Sequence, residues 1–216
     1  MSIQAVELIK AYRLLNIGAT TLISAKHDGM ENVMAAAWVG ALDYQPPKVT
    51  AVIDKIAYTR PLIEKSGYFA IQIPVAAQAE LVLAMGESRH DRPDKLANVP
   101  LFYPPGFDIP LVQGCAAWLV CRLINEPHNQ QAHDLFIGEV VAAWADERIF
   151  KHGHWQFDNA PDEWRTLHYV AGGQFYTIGE GLNLKQGPVI PPFLIELMGR
   201  KSKALLLFKN RWTTIY

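Results

Sequence analysis

The amino-acid sequence predicts a mainly β protein with a few helices, folded as an antiparallel barrel. Short apolar segments rich in β-branched residues recur along most of the chain, separated by Gly, Pro and Asp residues, which is typical of strands joined by turns. Asp28-Gly29 lies between two such segments and is a hairpin signal. Helical spacing is confined to a few stretches, so the strand–helix alternation of a wound parallel sheet is missing. Closing the sheet into a barrel would remove its exposed edges.

The first half of the chain is predicted to hold three helices. Residues 6–15 have apolar side chains on one helical face, and residues 75–85 are Ala-rich. A shorter helix over residues 59–66 has Thr59 at its start and Gly67 after its end. The predicted strands are residues 20–25, 32–42, 49–53 and 68–73, with Pro46-Pro47 breaking the chain between the second and third.

The second half is predicted to begin with a long, proline-containing loop over residues 86–110. Two long strands follow, and residues 149–165 have no clear assignment. Gly172-Gly173 is expected to form a bulge or bend within a single closing strand. The predicted strands are residues 112–124, 135–145 and 167–178.

The chain is expected to divide into a domain over residues 1–184 and a C-terminal extension over residues 185–216. From residue 186 onward the extension has five Lys or Arg and one Glu, a net charge of +4, together with several apolar runs. Such a tail could bind a membrane surface or a partner subunit. A helix and a strand packed on the same molecule is the preferred interpretation.

Composition excludes several classes of protein. Half of the 216 residues are hydrophobic and 19% are charged, which argues against disorder. The net charge of −1 provides no basic field for nucleic acid, and no apolar run is long enough to span a membrane. Cys115 and Cys121 would lie about 20 Å apart in one strand, too far to form a disulfide with each other. They are interpreted as small apolar side chains of a protein in the reducing cytoplasm.

The sequence also lacks the motifs of several common enzyme classes. It has no phosphate-binding G-x-x-x-x-G-K-[ST] loop, no G-x-S-x-G nucleophile elbow and no G-x-G-x-x-G dinucleotide motif. No zinc-binding motif is present, and His152 with His154 has no evident third ligand, so no metal is expected.

The segment from Gly29 to Pro47 combines an Asn-x-Met-Ala strand, a Trp and a Pro-Pro pair, and in this it resembles the flavin reductase-like family. Between Gly29 and Pro47, the family pattern of Gly-x-x-Asn-x-Met/Thr-Ala, a nearby Trp and a Pro-Pro pair is matched by Asn32, Met34, Ala35, Trp38 and Pro46-Pro47. Four later segments are similar to family motifs in the same order, so the resemblance covers roughly residues 10–182. These segments are residues 54–64, 86–95, 133–141 and 167–176.

The resemblance implies a Greek-key split β-barrel that binds FMN, with FAD less favoured. An isoalloxazine ring needs backbone donors and acceptors and flat apolar contact. Small side chains at Ala35, Ala36 and Ala37 would let a ring approach the backbone, with Trp38 covering an edge or face. Taken alone, Ala and Trp in an apolar strand are more often core residues. The residues assigned to the ring segment are Asn32, Met34, Ala35, Ala36, Ala37 and Trp38.

The phosphate of FMN is expected to bind around the start of the 59–66 helix. Thr59 would supply a hydroxyl and helix amides, and Lys55 and Arg60 nearby charges. The alternative for Thr59 is an ordinary helix cap, with Lys55 and Arg60 solvated beside it. Residues 86–95, the second loop, could likewise be a solvated loop that binds no phosphate. The complete phosphate set is Lys55, Tyr58, Thr59 and Arg60, with Ser88, Arg89 and Lys95 from the second loop. His168 and Tyr169 could reach the flavin or a second substrate, or could be ordinary barrel-rim residues.

The activity that the resemblance implies is NAD(P)H-dependent flavin reduction or a related electron transfer through bound FMN. No side chain needs to act as acid or base, so no catalytic residue is assigned. A homodimer, a small-molecule substrate and a partner oxygenase or other electron acceptor are expected. The alternatives are a flavin electron carrier, or a non-catalytic split-barrel module that binds flavin, haem or another ligand.

Overall fold

The computed structural model of the chain describes residues 18–182. The predicted helix over residues 6–15 and the tail beyond residue 184 lie outside this range, so the domain boundary at residue 184 stays a prediction. The described helices are α1 Thr59–Ser66, α2 Ala79–Gly86 and α3 Pro127–His133. The described strands are β1 Thr21–His27, β2 Met30–Ala36, β3 Val39–Tyr44, β4 Pro47–Val52, β5 Tyr68–Ile73, β6 Leu101–Phe102, β7 Leu111–Val112, β8 Ala117–Ile124, β9 Leu135–Ala145, β10 Phe150–Lys151, β11 His154–Trp155, β12 Leu167–Ala171 and β13 Gln174–Thr177.

Seven of these strands form one antiparallel sheet in the order β2-β1-β5-β8-β9-β4-β3. The mainly β, antiparallel fold class is therefore confirmed. β1 and β2 form the predicted hairpin, in which His27 pairs with Met30 across Asp28-Gly29. Both turn residues have positive φ, 49° and 76°, as a type I′ turn in a two-residue hairpin requires.

The sheet is rolled so that its first and last strands meet. β2 and β3 are opposite ends of the strand order, yet only Ala37 and Trp38 separate them in the chain. Such a link spans at most about 11 Å, three Cα–Cα steps. The single strand predicted over residues 32–42 is therefore wrong: the segment changes partner at this link, because its first half pairs with β1 and its second half with β4.

The interior of the rolled sheet holds the main core. Ile23 and Ala25 of β1, Phe69 of β5 and Phe136 of β9 are fully buried there and pack with the apolar face of α1. Gly138 leaves room for the Phe69 ring, since a Cβ at this position would lie 2.5 Å from Phe69 Cζ. A second core lies on the outer side of β1 and β2, between them and α2.

A buried hydrogen-bond chain attaches the long loop to the sheet. The Gln72 side chain donates to Ser24 Oγ at 3.0 Å and accepts from the Val112 backbone N–H at 2.6 Å. The Ser24 hydroxyl in turn donates to the Pro110 carbonyl at 2.5 Å. Since each of these buried groups has a partner, this series of hydrogen bonds holds the loop against the sheet without leaving an unpaired donor.

Other parts of the sequence interpretation need correction. The strand predicted over residues 112–124 is divided into β7 and β8 because Gly114 turns the chain with a φ of 83°. The single closing strand predicted over residues 167–178 is wrong: Gly172-Gly173 forms a turn, and β12 and β13 pair as a hairpin on either side of it. α3 was not predicted, because its polar sequence has no apolar periodicity.

The two cysteines are free and buried, as the sequence indicates. Burial raises the pKa of both thiols to about 12, so they behave as inert apolar groups. Within residues 18–182, no helix combines the length and apolar character needed to cross a membrane.

Candidate functional site

Three adjoining cavities lie along β2 and share Ala35; together we call them the cleft. The polar cavity, of about 180 Å³, is lined by Asn32, Met34, Ala35, Ile56, Ala57, Tyr58, Thr59, Met85, Gly86, Glu87, Ser88, Arg89 and Lys95. The apolar cavity, of about 220 Å³, is lined by Thr20, Ala35, Ala36, Ala37, Val82, Leu83, Gly86, Tyr169 and Phe175. The acidic cavity, of about 400 Å³, is lined by Met34, Ala35, Ala36, Ala37, Trp38, Val52, Asp54, Asp134 and Tyr169.

The outer edge of β2 supplies backbone groups to this cleft. Among the strands of residues 18–182, β2 pairs with β1 alone, and the two-residue hairpin makes His27 and Met30 the first hydrogen-bonded pair. Peptide groups alternate in direction along an antiparallel strand, so those of Glu31, Val33 and Ala35 point away from β1. The carbonyl of Glu31 accepts a hydrogen bond from the Arg89 guanidinium, which agrees with this assignment. The N–H and C=O of Ala35 are therefore directed to the side where the cavities lie.

Asn32 and Thr59 connect β2 to the first turn of α1. Both side chains are buried, and the Asn32 amide donates to Thr59 Oγ1 at 2.8 Å. Within the described chain, Asn32 Oδ1 has no hydrogen-bond partner, and neither has the buried Thr20 Oγ1 beside the apolar cavity. Unpaired buried oxygens are costly, and a bound ligand with donor groups is one way to satisfy them. In the polar cavity, a ligand with a hydrogen-bond donor near Asn32 would satisfy Oδ1.

Cations line the far side of the polar cavity. Lys95 is 9% exposed, and its ammonium donates to the carbonyls of Met85 at 3.2 Å and Glu87 at 2.7 Å. Burial and, to a smaller extent, the nearby Arg89 charge lower the pKa of Lys95 to about 8, against the opposing effect of Glu87. An anion placed here would favour the charged amine, so the cavity is suited to a phosphate.

Arg89 and two rings close this end of the cleft. The Arg89 guanidinium lies over the Tyr58 ring, 5.4 Å from its centroid, and His90 meets the same ring edge-on at 5.2 Å. These contacts hold the loop after α2 against the start of α1.

The structure brings most of the predicted residues to the cleft. Trp38 is 51% exposed and stands at the wall of the acidic cavity. The residues brought together are Asn32, Met34, Ala35, Ala36, Ala37, Trp38, Tyr58, Thr59, Ser88, Arg89, Lys95 and Tyr169.

Arg60 is not brought to the cleft, which corrects its placement in the phosphate set. Its guanidinium is buried behind α1, where it donates to the carboxylates of Glu64 at 3.0 Å and Asp134 at 2.5 Å. It also donates to two backbone carbonyls, of Ile53 at 3.1 Å and Gln130 at 2.6 Å. Because these contacts use its donors, Arg60 has a structural position and does not face a ligand.

Two further predicted residues also lie away from the three cavities. Lys55 is exposed in the turn before α1 and lines none of them. His168 forms a backbone bridge with Ala19 and pairs with Tyr176 across the β12–β13 hairpin. Its neighbour Tyr169 lines two cavities instead, because successive side chains of a strand point to opposite faces.

Sequence reasoning missed several lining residues. Val82 and Leu83 of α2 lie outside the segments that resemble family motifs. Asp54, Asp134 and Phe175 lie inside such segments, but no role was assigned to them. The apolar spacing of the α2 residues was the one available signal, and it is equally typical of a core helix.

The chain is similar in sequence and structure to known proteins. Residues 16–173 match the flavin reductase like domain family. An uncharacterized protein of Escherichia coli strain K12, YddH, is 41% identical over 180 residues, covering 81% of this chain and 94% of that protein. The crystal structure of an FMN-binding domain of a flavin reductases-like enzyme from Shewanella baltica superposes with a TM-score of 0.75 at 57% identity, covering 84% of this chain and 97% of the other.

A more distant relative has a described role. The reductase subunit HsaB of a flavin-dependent monooxygenase from Mycobacterium tuberculosis is 26% identical over 120 residues. The match covers 56% of this chain and 62% of the subunit.

Proposed function

The chain belongs to the flavin reductase like domain family, and on that premise we propose that it binds FMN in the cleft and transfers electrons from NAD(P)H to an acceptor. The observation that carries the proposal is the outward edge of β2. It presents the N–H and C=O of Ala35 beside small side chains, at the point shared by all three cavities. Flavin binding also agrees with the FMN-binding domain from Shewanella baltica, which is 57% identical.

In this proposal, the ring lies along Ala35, Ala36 and Ala37, where no large side chain separates it from the backbone. The ribityl hydroxyls extend into the polar cavity toward the unpaired Asn32 Oδ1. Thr59 and Lys95 hold the phosphate there, with Ser88 beside them. FMN is preferred over FAD in this proposal because the similar domain from Shewanella baltica is FMN-binding.

Flavin, when bound, supplies hydride and electron transfer, and the chain supplies binding, orientation and shielding. The Tyr58, Arg89 and His90 cluster covers the phosphate end. Tyr169 and Phe175 cover the apolar side of the cleft, and they lie 5.3 Å apart between ring centroids. The acidic cavity, the most spacious of the three, is the proposed entry for the second reactant. No side chain of the chain is assigned as a catalytic acid or base.

We further propose that the protein is a homodimer. In β3, Leu42 and Tyr44 are 52% and 75% exposed, and β3 is an edge strand of the sheet. An exposed apolar edge strand is an aggregation hazard unless another surface covers it. Light scattering coupled to size-exclusion chromatography tests this, and a monomeric wild-type protein would contradict it.

A cytoplasmic location and an oxygenase that receives reduced flavin are further proposals. The oxygenase is proposed because the relative HsaB is a monooxygenase reductase subunit.

Flavin fluorescence titrations of the purified protein test the central proposal. FMN, FAD and riboflavin are compared, and FMN should bind most tightly. Anaerobic mixing of the FMN-loaded protein with NADH or NADPH then distinguishes a reductase, which loses its visible absorbance, from a passive carrier, which does not. A protein that binds none of the three flavins would refute the proposal.

The Thr59 hydroxyl gives a residue-level test. Thr59→Ala should weaken FMN binding by about 1–3 kcal/mol, roughly 5- to 150-fold, because a charge-assisted hydrogen bond is lost. Riboflavin, which has no phosphate, should be unaffected. Thr59→Ser is the matched control, because it keeps the hydroxyl that accepts from Asn32. Equal FMN affinity in the Ala variant and the wild type would contradict the phosphate assignment.

A further inference from the structure

Charge is distributed unevenly along the cleft. The polar cavity is lined by two cationic side chains, Arg89 and Lys95, and one carboxylate, Glu87. The acidic cavity is lined by two carboxylates, Asp54 and Asp134, and none of the residues that line it is Lys, Arg or His. The two ends therefore favour ligands of opposite charge.

Both carboxylates are held in place. Asp134 has a φ of 54° at the end of α3, and Arg60 binds its Oδ1 at 2.5 Å from behind the cavity wall. The backbone N–H of Ile53, next to Asp54, donates to the Asp134 carbonyl at 2.8 Å, which ties the two segments together. Asp54 Oδ1 accepts from the Ile56 N–H at 3.0 Å, and its side chain is exposed. Arg60 partly compensates Asp134, while no cation is paired with Asp54 among the described ion pairs.

The walls of the acidic cavity suit a planar group. Trp38 and Tyr169 provide aromatic surface, and the backbone of Ala35 to Ala37 provides a floor without bulky side chains. Tyr169 and the same three alanines also line the apolar cavity, where the buried Thr20 hydroxyl has no partner among the described residues. The cavity is thus an open, aromatic-walled space of about 400 Å³ that continues into a region with an unsatisfied polar group.

We propose that the acidic cavity binds the second reactant through a planar aromatic group that is neutral or cationic, and that Asp54 and Asp134 select against aromatic anions. This inference rests on the proposed function, because it places the second reactant beside the ring segment of β2. It concerns only the group that enters the cavity; charged groups elsewhere on the same molecule would stay outside it. Asp54 and Asp134 are specificity-determining residues in this proposal and take no part in electron transfer.

A series of redox-inert ligands with one ring and different charge tests the inference. Benzamidine, benzamide and benzoate carry a cationic, a neutral and an anionic group on the same ring. Their dissociation constants for the FMN-loaded protein are measured from the flavin absorbance change and, independently, from tryptophan fluorescence. Benzoate should bind most weakly, and the difference should shrink at high salt because an exposed carboxylate is screened.

Asp54→Asn is the main variant, since its amide oxygen can still accept from the Ile56 N–H. It should reduce the preference for benzamidine over benzoate by about three- to tenfold, as expected for removal of one exposed charge. Asp134→Asn, which keeps an oxygen for Arg60, should act in the same direction. Asp28→Asn is the matched control: Asp28 is 80% exposed in the β1–β2 turn and lines none of the three cavities.

The outcomes separate the two proposals. If FMN binds but benzoate binds as well as the other ligands, or no ligand binds, the charge selectivity is wrong and flavin binding stands. The same conclusion holds if Asp54→Asn and Asp28→Asn change the preference equally. If FMN does not bind at all, the proposed function fails, and the inference fails with it.

Discussion

Replacement of Lys95 by Met probes the phosphate end of the cleft through pH. The pKa of Lys95 is about 8 in the protein without ligand, so about nine-tenths of the amines are charged at pH 7 and about one-tenth at pH 9. A phosphate monoester stays doubly charged over this range, since its second pKa is about 6. Bound beside Lys95, it would favour the ammonium form and raise the pKa of the amine.

The sign of the effect follows from proton linkage. Above pH 8, binding FMN would take up a proton at Lys95, so affinity falls as pH rises. If the pKa in the complex is 10 or higher, the loss between pH 7 and pH 9 is about tenfold. In the protein without ligand, the lowered pKa of Lys95 also affects the free energy of unfolding. Between pH about 8 and 10.5, Lys95 is more protonated in the unfolded chain than in the folded one. Its contribution therefore makes the folded state more stable as pH rises across that window.

The assay is an FMN fluorescence titration from pH 7 to pH 9, run in parallel with riboflavin. Riboflavin carries the same ring without the phosphate, so its pH dependence removes any contribution from the ring. The wild type should lose about tenfold more affinity for FMN than for riboflavin, and Lys95→Met should show no such difference. Identical pH profiles for the two flavins in the wild type, or an FMN-specific loss that persists in Lys95→Met, would refute the reasoning.

Three further substitutions test the scaffold by urea unfolding. Gly138→Ala should destabilise by about 1–3 kcal/mol because its Cβ would lie 2.5 Å from the Phe69 ring; combining it with Phe69→Leu should cost less than the sum of the two, and simple additivity would contradict the clash. Gln72→Leu should cost about 1–3 kcal/mol because it leaves the buried Val112 N–H without an acceptor, and a neutral result would show that another group replaces it. Arg60→Met should cost about 3–5 kcal/mol because it leaves two buried carbonyl groups and the partly buried Asp134 carboxylate without their partner, and Arg60→Lys should not recover it; full recovery by Lys would contradict the multidentate role.

Local features of the fold were predictable from the sequence. The Asp28-Gly29 hairpin and helix α1 depend on turn and cap residues that lie within a few positions of each other. Gly67 ends α1 with a φ of 72°, a conformation that favours glycine. For such elements, the short-range pattern contains the information that determines the structure.

Features that depend on distant partners were not predictable. The change of pairing at Ala37 and Trp38 arises because the residues before this link pair with β1 and those after it pair with β4. Both parts of the segment are apolar, so the sequence does not mark the point where the partner changes. Arg60 has the sequence context of a solvated helix residue, but its partner Asp134 is 74 positions away and makes it a buried residue. The motif resemblance grouped Thr59, Lys95 and Arg60 in one phosphate set, whereas the structure brings Thr59 and Lys95 to the polar cavity and places Arg60 away from it.

The two-residue link between β2 and β3 has a consequence for local opening of the barrel. Amides in edge strands normally exchange with solvent through low-energy fluctuations. Here both edges of the seven-stranded sheet are joined at Ala37 and Trp38, beside the cleft. A ligand that hydrogen-bonds the free edge of β2 would therefore slow hydrogen exchange in β2 and, through the link, in β3 as well. The two ends of the sheet would gain protection as a single cooperative unit.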